Sequence, residues 1–128
     1  MDDSGRRDAA RARTDGQGRE GTAVKAFRLE ELEAERAAND GAYLRFLRER
    51  NMSAGLYALD AGATDPQQPH AQDEIYFVAS GRASLTVGDE TTQVARGSVV
   101  HVPAGVPHKF HHITEDLRVL VVFSPPEG

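Results

Sequence analysis

The distribution of histidine is the first feature of this sequence that points to chemistry. All five histidines follow residue 69, and four of them lie within residues 101–112. Neutral imidazole is a common metal ligand, so the clustering suggests a metal site, although histidines on a β-protein are also ordinary surface residues. The chain has no cysteine, so any metal ion must be bound by nitrogen and oxygen atoms.

The first candidate ligands lie in residues 68–77. Residues i and i+2 of an extended strand share one face at a spacing of about 6.5 Å, so Gln68 and His70 can bind one ion from the same side. A straight strand would place Glu74 about 13 Å beyond His70, too far for ligands that bind at about 2 Å. We therefore expect the chain to bend at residues 71–73, so that Glu74 opens the next strand beside His70.

The second candidate segment is residues 97–112. Gly97 and Gly105 are expected at the ends of a strand and in a turn, and two prolines stiffen that turn. His108 follows the turn, so we expect it to begin the next strand and to face the protein interior. His101 and His111 fit ordinary strand positions.

The elements that must position these residues are short. Residues 1–22 contain five acidic and five basic side chains and no aromatic or branched aliphatic residue, so we predict a disordered tail followed by one domain, residues 23–128. Residues 27–39 place Leu29 and Leu32 among strong helix formers and end in turn residues, which predicts a short helix.

The rest of the chain has the pattern of a β-protein. Turns separate short apolar or alternating runs, and Ser80-Gly81 and Gly88-Asp89 each predict a hairpin. No segment after Gly41 is long enough for a helical crossover, so the strands should be antiparallel in a sandwich or barrel. The seven predicted strands are residues 43–47, 55–59, 75–79, 83–87, 91–95, 99–102 and 117–123.

These motifs resemble those of the cupin superfamily. In the first family motif, a glycine is followed by two histidines, a glutamate and a second glycine, and Gly62, His70, Glu74 and Gly81 have its spacing. Gln68 stands where the family has its first histidine. In the second motif, the positions of Gly97, Pro103, Gly105 and His108 match, whereas His112 replaces the family's asparagine. The resemblance covers residues 55–123.

The resemblance implies an all-β fold, an antiparallel jelly-roll (cupin) β-barrel at about residues 42–125 with a short N-terminal helix. By position it implies one divalent metal ion on Gln68, His70, Glu74 and His108. Two histidines and one carboxylate are associated with non-haem iron, and Mn, Ni, Zn and Co also fit this set. An amide oxygen is a weaker ligand than imidazole, so the role of Gln68 is open. We expect a small pocket lined by His112, Tyr57, Phe110 and Tyr76.

Two classes of function follow from the resemblance. The first is a metalloenzyme of dioxygenase, isomerase or lyase type that acts on a small organic substrate. The second is a non-catalytic cupin that binds or senses a small molecule, because one fold hosts many unrelated activities. The reaction type stays open, because the sequence does not position a separate general base.

Charge and hydropathy argue against nucleic acid and membrane as binding partners. The net charge of −5 and the pI near 5.5 provide no basic surface for nucleic acid. No run of about 18 apolar residues predicts a membrane helix, and we expect a cytoplasmic protein. The family resemblance further implies a homodimer, with residues 43–59 or the helix at the interface.

Overall fold

The computed structural model describes residues 23–127. The predicted tail, residues 1–22, lies outside the described residues. The chain divides into two units after Ala34, and only residues 23–34 of the first unit are described. Helix α1, Leu29–Ala38, contains the boundary between them and confirms the predicted helix. Among the described residues, no helix has the length and hydropathy needed to cross a bilayer.

The second unit contains six antiparallel strands in one sheet. Their order is β1-β2-β6-β3-β4, and β5 pairs with β3 as a branch, so the hydrogen-bonded path is not a closed ring. This arrangement confirms the predicted antiparallel jelly roll. The strands are β1 Tyr43–Arg48, β2 Ser53–Leu59, β3 Asp73–Val87, β4 Glu90–Ala95, β5 Val99–Val102 and β6 His108–Ser124.

One of the two predicted hairpins is wrong. Gly88-Asp89 does connect the antiparallel strands β3 and β4. Ser80-Gly81 instead lies within the continuous strand β3, where the register with β6 shifts repeatedly between Val78 and Ser84. Gly81 has a φ of 98°, and a Cβ there would overlap the backbone of Asp116. The glycine therefore serves a bulge with close backbone approach rather than a turn.

These bulges fold the long β3–β6 ladder back on itself. Glu74 pairs with Phe123 at one end of the ladder, and Val87 pairs with His108 at the other. Thirteen residues of straight strand separate the two ends of β3 by about 43 Å. Nevertheless, the side chains of Glu74 and His108 lie 3.2 Å apart. The two halves of the ladder thus face each other, and their inward side chains share one interior.

The core lies in that interior. Buried residues alternate with more exposed ones in the first half of β3 and the second half of β6, as expected for strands with one buried face. The core contains Tyr57, Leu59, Tyr76, Val78, Ala83, Leu85, Val94, Val102, Phe110, Ile113, Leu117, Val119, Val121 and Phe123.

Candidate metal centre

Glu74 is a buried carboxylate at the beginning of β3. It points inward because it alternates with Tyr76 and Val78, which are also buried, and its side chain is 1% exposed. Its Oε2 atom lies 2.9 Å from His70 and 3.2 Å from His108. Its Oε1 atom is buried and has no hydrogen-bond partner. A buried carboxylate oxygen is costly unless a donor or a cation satisfies it.

His108 is the first residue of β6, as predicted, and its side chain is fully buried. Its Nδ1 lies 2.9 Å from the carbonyl oxygen of Val106, so Nδ1 donates to that carbonyl. A neutral ring in this tautomer has its lone pair on Nε2. That lone pair faces two oxygens at 3.2 Å, Oε2 of Glu74 and Oε1 of Gln67. Three acceptors therefore converge, an arrangement that a bound cation would satisfy.

His70 lies in the segment that precedes β3, not on a strand, and the chain bends at residues 71–72 before Glu74 as predicted. The backbone N–H of Gly105 donates to its carbonyl at 2.7 Å. Its ring packs edge-on against Phe123 at a centroid distance of 5.0 Å. The side chain is 28% exposed, unlike those of Glu74 and His108. His70 is therefore the side of the cluster that solvent reaches.

Gln67 directs its amide oxygen at the cluster. Its Nε2 donates to Oδ2 of Asp65 at 2.8 Å, and its Oε1 accepts from the Tyr76 hydroxyl at 3.0 Å. Because Asp65 only accepts, the amide has one orientation, with Oε1 facing His108. The fixed amide oxygen is thus a ready oxygen ligand.

Asp65 is the buried anchor behind Gln67. It is 2% exposed and accepts four hydrogen bonds: from the Tyr57 hydroxyl at 2.6 Å, the Phe110 N–H at 2.9 Å, and the side-chain and backbone N–H groups of Gln67. Burial, and then the hydrogen bond to Asp65, raise the pKa of Tyr57. The phenol therefore stays a donor, and the carboxylate is held in place by charge-assisted bonds.

This donor set fits a divalent transition metal ion. One ligand atom from each of His70, Glu74 and His108 lies within 4.8 Å of the others. Ligands at 2.0–2.2 Å from one ion are separated by about 3.0–3.4 Å, close to the contacts of Oε2 described above. Two imidazoles, a carboxylate and an amide oxygen also match the nitrogen and oxygen preference of such ions.

A cavity of about 130 Å³ opens beside the cluster. His70 and Gln67 line it on the side of the cluster, and the rest of its wall is formed by Tyr43, Tyr57, Val121, Phe123 and Glu127. Its volume agrees with the prediction of a small pocket. A small organic molecule in this cavity would lie directly against His70.

The structure brings together three of the four predicted ligands. His70, Glu74 and His108 converge, whereas Gln68 is exposed and its neighbour Gln67 faces the site. Residues 63–70 do not form a strand, so alternation could not identify which glutamine faces inward.

The four predicted pocket residues lie in different places. Tyr57 lines the cavity, and Tyr76 reaches the site through its bond to Gln67. Phe110 is buried core, with its ring 5.1 Å from that of Tyr76. His112 is exposed and lines a separate cavity beside Arg82. Its φ of 48° accompanies the register shift in β6, which turns Ile113 inward in its place.

Sequence reasoning missed Asp65 and Gln67. Both lie just before His70, in a segment where neither strand nor helix periodicity applies. One available signal was the short Asp-Pro-Gln-Gln run, because turn-forming residues beside a ligand often orient it.

The family model of the cupin domain matches residues 55–123, so the chain belongs to the cupin family. A Streptomyces coelicolor protein is 86% identical over 105 residues, which are 82% of this chain and 100% of that protein. The family membership confirms the resemblance found in the sequence motifs.

Two solved structures illustrate the shared fold. TT1209 from Thermus thermophilus is 26% identical with a TM-score of 0.69, covering 81% of this chain and 100% of that chain. The DMSP lyase DddQ from Ruegeria pomeroyi is 24% identical with a TM-score of 0.61, covering 65% of this chain and 46% of that chain. The second likeness extends to the fold alone.

Proposed function

We propose that this cupin binds one divalent transition metal ion and acts on a small organic substrate held in the cavity beside it. The ligands would be His70, Glu74 and His108, with the amide oxygen of Gln67 as the fourth. The observation that carries the proposal is Glu74, a buried carboxylate with one unpartnered oxygen and its other oxygen between two imidazoles.

Gln67, rather than Gln68, is proposed as the amide ligand. Gln68 is exposed, whereas Gln67 lies 3.2 Å from His108 and is oriented by Asp65. The Tyr76 hydroxyl already donates to the Gln67 oxygen, which leaves the second lone pair of that oxygen for the ion. Residues that fix a ligand in this way typically change metal affinity 10–100-fold when they are replaced.

A bound ion would supply Lewis-acid or redox chemistry. The chain's own residues would exclude water from the buried side of the ligand cluster and admit a substrate to its exposed side. Glu74 and His108 are sealed in the interior, whereas His70 borders the cavity. A substrate in the cavity is therefore placed at the accessible side of the cluster. A dioxygenase, an isomerase or a lyase would each use this arrangement, and the lyase DddQ supports only that the fold can host an enzyme.

Metal analysis of the purified protein tests the binding step. We expect about one transition metal ion per chain, lost in His108→Ala and kept in the matched surface variant His101→Ala, because His101 is 57% exposed. Equal metal content in the two variants would contradict the proposed site.

Turnover is tested separately, on protein loaded in turn with Fe, Mn, Ni, Zn and Co. Oxygen uptake and product formation would be followed over small phenols, keto acids and amines. Metal-dependent turnover that His108→Ala abolishes supports the enzyme. A tightly bound metal with no turnover over the panel would favour the non-catalytic binding protein.

A further inference from the structure

Glu127 is the one carboxylate that lines the cavity among the described residues. Its Oε1 accepts a hydrogen bond from the Tyr43 hydroxyl at 2.9 Å, and its backbone N–H donates to Ser53 Oγ at 3.1 Å. The Gln72 side chain also donates to the carbonyl of Pro126 at 3.2 Å. These bonds attach residues 126–127 to β1, to β2 and to Gln72, so the Glu127 carboxylate is a fixed part of the cavity wall.

The polar wall of the cavity presents acceptors. The Tyr43 and Tyr57 hydroxyls both donate to carboxylates, to Glu127 and Asp65, so only their lone pairs remain available. Gln67 contributes its amide oxygen. None of the described residues that line the cavity is Lys or Arg. The Arg45 guanidinium lies nearby, but it donates to the backbone carbonyl of Glu127 at 3.4 Å and is not part of the cavity lining. The lining therefore offers acceptors and one carboxylate, which a ligand with hydrogen-bond donors and positive charge matches.

Aromatic rings also line the cavity. Tyr43 meets Tyr57 edge-on at a centroid distance of 6.3 Å, and Phe123 lies on the same wall. Gly55 makes room for the Tyr43 ring, because a Cβ at that position would overlap it. Aromatic faces stabilise a nearby cation in addition to the carboxylate.

We infer that the cavity binds its ligand through a protonated primary amine, held by Glu127 and the rings of Tyr43 and Tyr57. The N–H groups of the ammonium satisfy the acceptors of the wall, and its charge pairs with the carboxylate. The inference rests on the proposed function in one respect. It assumes that the end of the ligand opposite its ammonium group points to the proposed metal ligand His70. The substrate class is then a small organic amine.

The test compares three probes of one size: butylammonium, butanol and butanoate. The full chain is titrated by calorimetry at neutral pH after dialysis against a chelator, so that no probe binds through a metal ion. We expect butylammonium to bind about tenfold more tightly than butanol, and butanoate to bind most weakly. Equal affinity for butylammonium and butanol, or tighter binding of butanoate, would overturn the inference.

Glu127→Gln isolates the charge, because the amide oxygen can still accept from Tyr43. We expect about tenfold weaker binding of butylammonium and less than twofold change for butanol. The matched control is Glu90→Gln, the same change at an exposed residue of β4, which should leave both affinities unchanged. An unchanged butylammonium affinity in Glu127→Gln would also overturn the inference.

Metal content separates this inference from the proposed function. Glu127 is not among the proposed ligands, so Glu127→Gln should retain the metal content of the unaltered chain. A preference for butylammonium in a protein that binds no metal would support the amine site and contradict the metal centre. Metal binding without that preference would leave the metal centre standing and overturn the amine site.

Discussion

The five histidines fall into two groups that differ in what surrounds them. His70 and His108 converge on the buried carboxylate of Glu74 at 2.9 and 3.2 Å. His101 instead contacts the exposed carboxylate of Asp73 at 3.4 Å, where both side chains are more than half exposed. His70 and His108 share one buried carboxylate oxygen, whereas the contact between His101 and Asp73 is exposed to solvent.

The remaining outer histidines bond to each other. Nδ1 of His111 lies 2.7 Å from Nδ1 of His112, and Nε2 of His111 lies 2.8 Å from the Thr86 hydroxyl. These contacts satisfy the rings at the surface without a buried carboxylate. The contrast indicates that burial of an acceptor, rather than clustering along the sequence, marks a candidate metal centre.

Glu74→Gln should produce the largest effect. It removes the carboxylate of the inner cluster, so metal affinity should fall by a factor of about 100 or more. The unfolding free energy of the metal-free protein should rise by about 1–2 kcal/mol, because a neutral amide replaces a buried carboxylate that has one unpartnered oxygen. Calorimetric metal titration and denaturant unfolding measure the two quantities.

The matched control for that prediction is Asp73→Asn, which changes the carboxylate that His101 contacts. Asp73 is exposed, and its Oδ1 accepts from the N–H of Ala104, a bond that asparagine retains. Metal affinity should stay within about twofold and stability within about 0.5 kcal/mol. If Asp73→Asn weakened metal binding as much as Glu74→Gln, the distinction between the buried and the exposed carboxylate would be wrong.

Asp65→Asn should produce the next largest effect. Asparagine replaces one accepting oxygen by a donor, so at least one of the four hydrogen bonds to Asp65 is lost. We expect a loss of about 2–3 kcal/mol in unfolding free energy and a 10–100-fold loss of metal affinity, since Gln67 loses its orientation. Tyr57→Phe removes one donor and should cost only about 1 kcal/mol. Unchanged metal affinity in Asp65→Asn would show that the orientation of Gln67 is not needed.

The two glutamines should differ by a smaller factor. Gln67→Ala should weaken metal binding about tenfold, and Gln68→Ala should leave the affinity within about twofold, because Gln68 is exposed. Gln68→His gives a second test, since it restores the histidine of the family motif. Tighter metal binding in Gln68→His would show that position 68 reaches the ion and would favour the original assignment by motif.

Much of the fold was predictable because it depends on local periodicity. The apolar run of residues 75–79 predicts a strand, and Gly88-Asp89 predicts a hairpin, and the structure confirms both. The bulge at Gly81 was not predictable, because a glycine beside a serine has the same appearance in a turn and in a bulged strand. Only the pairing with β6, distant in sequence, distinguishes the two cases.

The candidate site was predictable in part for the same reason. His70, Glu74 and His108 follow from motif spacing, and the structure brings them together. Gln67 and Asp65 lie in an irregular segment, where the direction of a side chain depends on contacts with Tyr57 and Phe110. The local sequence does not predict such long-range contacts.

The most direct test of the metal centre is the metal content of two double variants, measured by elemental analysis after loading and desalting. The double variant His70→Ala with His108→Ala removes the two histidines of the cluster. The control, His111→Ala with His112→Ala, also removes two histidines, but outside the cluster. We expect about one ion per chain in the unaltered protein and in the His111/His112 variant, and almost none in the His70/His108 variant. Retention of the ion by the His70/His108 variant, or its loss from the His111/His112 variant alone, would contradict the proposed metal centre.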